Sequence, residues 1–140
     1  MRPITLSILM SLMITLISIN TYAACSNYQQ ITQQSRELHN DLSVLSDIIQ
    51  EKLPRSYNLY EFSVKAQSSA YFLYFSTRSG AMPCSMTKRN FSNLQRSFTI
   101  LKNTMERFSR RRAGLYYIVR DQWELALNSH IQLTREFKNL

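Results

Sequence analysis

The run FSNLQRSFTILKNTMERF, residues 91–108, decides the fold: Phe91, Leu94, Phe98, Leu101, Met105 and Phe108 follow one another in unbroken steps of three and four. That spacing stacks six large apolar side chains on one stripe of a 3.6-residue helix and leaves Asn93, Arg96, Lys102 and Arg107 on the remaining surface. A stripe this narrow needs a second one to cover it. The next segment supplies it, with Tyr116, Val119, Trp123, Ala126, His130, Leu133, Phe137 and Leu140 in the same alternation.

Two further amphipathic segments precede these. Tyr28, Ile31, Leu38, Leu42, Leu45 and Ile49 form a stripe that Ser26 and Gln29 open as a capping box and Pro54 closes. Leu59, Phe62, Ala66, Ala70 and Leu73 form another, opened by the N-cap pair Asn58 and Glu61 and stopped by Gly80 and Pro83. Its stretch from Ala70 to Phe75 is apolar on every side and short enough for a strand, but the preceding residues run into it in phase, so it reads as helix. The expected fold is all-α: an up-and-down four-helix bundle with short links joining antiparallel neighbours.

Composition agrees with a single folded domain. Of 140 residues, 44% are hydrophobic, 11% aromatic and only 19% charged, against the charge-rich, aromatic-poor balance of a disordered chain. With two Gly and three Pro there are too few turn residues for a β-sandwich, and no glycine-rich loop to cradle a phosphate.

The first segment reads as an export signal. Residues 1–23 carry Arg2, an apolar run from Ile4 to Ile19 diluted by Ser and Thr, and small residues at Thr21 and Ala23. The run is too short and too polar for a membrane span. Residues 24–140 are then the single mature domain, exported to the cell exterior or a periplasm. Tyr22-Ala23-Ala24-Cys25 is the rival reading, a lipid-attachment site on Cys25, but an apolar aliphatic residue is expected where Tyr22 stands. The soluble exported form is preferred.

Export also frames the two cysteines. Cys25 precedes the first helix and Cys84 the third, and an up-and-down topology brings both to one rim, within reach of a disulfide. No C-x-x-C motif points to a redox role.

Few residues carry a readable chemical motif. His130 sits on the seam of the last helix and His39 flanks the first, yet the mature first helix has no Met to complete a haem ligand pair, and neither C-x-x-C-H nor H-E-x-x-H occurs. His130 therefore reads as a core or rim histidine with one hydrogen-bond partner. No cofactor or metal and no enzymatic activity is expected.

Charge is the feature that asks for a partner. From Arg78 to Arg112 there are nine bases against Glu106 alone, and Lys88, Arg89, Arg96, Arg107, Arg110, Arg111 and Arg112 are expected to form a basic patch. Outside the cell such a field suits sulfated glycans, anionic lipid head groups or an acidic protein surface, and nucleic acid is not expected. Asn90-Phe91-Ser92 is a possible glycosylation sequon, expected on the polar side of the third helix.

The order of Cys25, Ile31-Thr32-Gln33-Gln34-Ser35 with Leu38, Leu53-Pro54 with Leu59-Tyr60, Cys84, Phe98-Thr99-Ile100-Leu101-Lys102, and Ile118-Val119-Arg120 with Trp123 resembles the helical cytokines, most closely the two-cysteine type I interferons. The chain is shorter than that family, has one helix fewer, lacks the long first crossover, and carries Trp123 after the Ile118-Val119-Arg120 triplet instead of before it. The resemblance implies a receptor ligand gripped by outer faces of the first and last helices: Arg36, Glu37, His39, Asn40 and Asp47 on one, Arg120, Asp121, Glu124, Asn128 and Arg135 on the other. A bacterial envelope protein that binds one cognate partner, such as an immunity, inhibitor or secretion-accessory factor, is the alternative, followed by a cationic glycan or membrane-surface binder.

Overall fold

A computed structural model describes residues 23–140, so the expected signal segment falls outside the described residues but for Ala23. Four helices follow in order: α1 (Tyr28–Lys52), α2 (Tyr57–Thr77), α3 (Cys84–Arg111) and α4 (Ala113–Lys138). The stretch read between strand and helix lies wholly within α2. No helix of the described residues is long and apolar enough to cross a membrane.

The helices form a closed ring in which α1 packs on α2 and α4, and α3 packs on α2 and α4. Contacts between helix ends fix the up-and-down course: Thr32 near the start of α1 donates to Thr77 at the end of α2 (3.0 Å), and Asn27 before α1 reaches Glu136 near the end of α4. The expected stripes meet in the middle. Ile31, Leu38, Leu42, Leu45, Ile49, Leu73, Leu94, Leu101, Val119, Ala126 and Leu133 are wholly buried.

Residue size sets how close each pair of helices comes. Small residues line the α1–α2 seam, where the Ser46 and Ser63 hydroxyls meet (3.0 Å) beside buried Ala66 and Ala70, so the backbones lie close. These buried hydroxyls are also satisfied locally: Ser35 donates to the Ile31 carbonyl (2.7 Å) and Ser46 to that of Leu42 (2.8 Å), so burying them leaves no orphaned donor. Between α3 and α4 rings replace hydroxyls. Phe91 stacks on Phe137 with centroids 3.8 Å apart, and Phe98 lies between Trp123 and His130, which hold the two backbones further apart.

The helix starts differ from the expected caps. Neither Ser26 with Gln29 nor Asn58 with Glu61 forms a cap; α1 follows Asn27 and α2 follows Ser56, both without a side-chain cap bond. Asn27 instead donates its amide to the Glu136 carbonyl (2.9 Å) and carboxylate (3.1 Å), while Glu61 pairs with Lys65 along α2 at 2.6 Å. A cap is worth about 1 kcal/mol, little enough for such tertiary and i,i+4 pairing to displace.

The links are short, residues 53–56, residues 78–83 and Arg112 alone. Gly80 adopts φ +69° and lies so close to the Tyr28 ring that an added Cβ would come within 2.7 Å of it, so the turn needs glycine twice over. Cys25 and Cys84 are joined as expected, with Cα atoms 4.5 Å apart, and the Cys84 amide donates to the Ala23 carbonyl (2.9 Å). Cys25 therefore has no free thiol for a lipid.

Candidate functional site

His130 is half-buried at the edge of the core, between α3 and α4. Its ring stacks on Phe98 at 3.9 Å, nearly parallel, and Nε2 lies 3.0 Å from Gln95 Oε1. Burial, aided by the positive field of Lys102, pushes its pKa down to about 4. His39 sits apart, between α1 and α2, with Nδ1 3.4 Å from the Gln67 carbonyl and its ring 5.2 Å from Tyr71. Among the described residues no three His, Cys, Asp or Glu side chains gather as a metal site.

The depressed His130 pKa predicts an acid sensitivity. An unfolded histidine takes up its proton near pH 6.5, so the stability that His130 gains by staying neutral is complete above that value and is lost as pH falls towards 4, by roughly 3 kcal/mol. Denaturant midpoints measured from pH 7 to pH 4 should fall more steeply in the wild type than in His130→Gln. Parallel curves would rule this out.

A concavity of about 720 Å³ runs between the outer faces of α1 and α2. Arg36, Glu37 and Asn40 of α1 and Tyr74 and Arg78 of α2 are among its walls. Beside it α2 exposes a band of rings: Tyr71 (47%), Phe72 (57%) and Phe75 (47%) all face solvent. Tyr71 lies 6.0 Å from Phe75, and the Arg78 guanidinium sits 4.2 Å above the Phe75 ring, a cation–π contact. This band was missed in the sequence, although its signal was there: the run 70–75 is apolar beyond what one buried stripe requires.

The residues implied by the cytokine resemblance do not all converge. Arg36, Glu37 and Asn40 line the α1–α2 groove and His39 lies near it, whereas Asp47 is exposed further along α1. On α4, Arg120 pairs with Asp121 (3.0 Å), Glu124 and Asn128 are exposed, and Arg135 reaches Gln132 (3.4 Å). The α1–α4 seam is filled by polar contacts of its own: the Asp41 carboxylate accepts from Ser129, and Gln122 donates to the Asp41 carbonyl (2.9 Å).

The basic residues are all exposed but not one patch, since at about 1.5 Å per residue Lys88 and Arg112 stand roughly 36 Å apart. Lys88 and Arg89 flank the disulfide end and Arg96 the middle of α3. At the other end Arg107, Arg111 and Arg112 meet Arg55, from the α1–α2 link, around a second concavity of about 440 Å³. Arg110 turns to Glu106 (3.9 Å) and does not line it. Asn90 is not on the polar side of its helix: it is only 8% exposed and donates to Ser76 on α2 (3.4 Å), so the folded chain offers no room for a sugar there. Compared with protein-family models, curated proteins and solved structures, the chain matches none.

Proposed function

We propose that the protein is an exported, non-catalytic, cytokine-like helical bundle that binds one protein partner, here through the outer face of α1 and α2 instead of the first and last helices. The observation that carries this is the exposed band Tyr71, Phe72 and Phe75 beside the groove walled by Arg36 and Arg78. Soluble domains seldom leave three neighbouring rings in water, and aromatic side chains with arginine are the chemistry that dominates binding hot spots. The two arginines suit a partner that offers carboxylates around an apolar edge, with the charges setting approach and the rings setting residence time.

The test starts from affinity purification with the oxidised mature protein against extracellular or envelope proteins of its own source. A partner so found should bind the Phe72→Ser/Phe75→Ser variant at least tenfold more weakly, with unchanged thermal melting. Equal affinity for both proteins would remove α2 from the interface. An effect confined to Arg120→Ser and Glu124→Gln would move the interface to α4.

A further inference from the structure

The arginine-walled concavity at the end remote from the disulfide has a chemistry of its own. Arg55 approaches from the α1–α2 link, Arg107 and Arg111 from the end of α3 and Arg112 from the turn after it, so the positive walls belong to separate parts of the chain. No acidic side chain lines it, and none of these four arginines makes a salt bridge among the described residues. The nearest acids in sequence, Glu51 and Glu106, pair with Lys52 and Arg110. Four like charges around one hollow repel each other, and a bound anion relieves that repulsion while accepting bidentate hydrogen bonds from planar guanidinium groups.

The hollow is not purely ionic. Phe62 and Phe108 line it half-buried, and Ser56 and Asn58 add neutral donors. The first turn of α2 contributes unpaired backbone amides without an acidic residue or a side-chain cap to occupy them, which strengthens the field the arginines establish. Its volume is that of a small organic ligand and exceeds what a bare ion fills.

We propose that this end of the bundle binds a phosphate or sulfate group carried on an aromatic or sugar ring, with Arg55, Arg107, Arg111 and Arg112 holding the oxyanion and Phe62 and Phe108 receiving the ring. The site is separate from the α1–α2 face and stands or falls independently of the partner proposed there.

Calorimetric titration of the oxidised protein with sodium phosphate, phenyl phosphate and a sulfated disaccharide tests it. At least one ring-borne ester should bind saturably at one site, at least fivefold tighter than inorganic phosphate, and which ester binds identifies the carrier. Arg55→Ser should weaken that binding at least tenfold, and Arg111→Ser should do the same from the other wall. Lys88→Ser/Arg89→Ser removes more charge at the opposite end and should change it less than twofold. Equal weakening by all variants would reduce the effect to net charge and overturn the proposal. So would binding to phosphatidylserine vesicles without binding to any soluble ester, which would make this end a membrane-facing surface.

Discussion

Cys84→Ser is expected to lower the melting temperature by roughly 15 °C. The bond closes a loop across a sequence separation of 59 residues, and on the chain-entropy account such a link stabilises by about 4 kcal/mol by restricting the unfolded chain. The position adds to the effect. α1 and α3 stand at opposite corners of the ring, where their backbones do not approach each other, so the disulfide is a covalent tie across that diagonal. Without it, residues 23–27 keep the amide of Cys84 and the reach of Asn27 to Glu136 as anchors, and Cys25, 3% exposed, becomes a buried thiol. Thermal circular dichroism of the variant and of reduced wild-type protein should agree within a few degrees. A loss under 3 °C in both would show that the bundle does not depend on its crosslink.

Phe98→Ala is expected to cost about 4 kcal/mol. Large-to-small changes of buried aromatic residues cost roughly 3–5 kcal/mol, and Phe98 is 2% exposed at the centre of the α3–α4 seam. Because those two helices meet chiefly through long side chains, deleting the middle ring opens a space that the backbones can close only by moving together. Trp123, 5.5 Å away, reports the change through a red-shifted emission, and His130 loses the wall that keeps it dry, so its pKa should rise towards the ordinary histidine value. Phe98→Leu should cost less than half as much. A denaturation midpoint like that of the wild type, with unchanged tryptophan emission, would contradict this account of the seam.

How much was legible in the sequence follows from how local each signal is. The stripe on residues 91–108 and its partner on α4 could be read directly, because burial of one helical face imposes a period that survives in the order of residues. The disulfide followed from topology once four helices were counted. The polar members of the core could not be read so simply: Ser35 fills the gap in the α1 stripe, Thr77 extends the α2 stripe by one step, and Ser46 and Ser63 flank the two, and only the facing helix shows that a small, self-satisfied hydroxyl fits there. Asn90 misled for the same reason, since its environment is set by Ser76 on another helix.

The candidate sites were less legible still. Arg55 stands 52 positions before Arg107, with the whole of α2 between them, so neither residue marks the other as a neighbour. The charge count placed bases on α3 but gave no hint that they divide between the two ends. The aromatic band on α2 was visible only as surplus hydrophobicity, which buried and binding faces share.

The crosslink and the Asn27 tie to α4 stand at the same end of the ring. A bundle clasped in this way is expected to breathe like tweezers, spreading first at the far tips, where residues 53–56 and Arg112 make their turns. The arginines of that end therefore sit on the jaws, and an anion held between Arg55 and Arg111 would act as a second, removable clasp whose grip is felt along the length of all four rods.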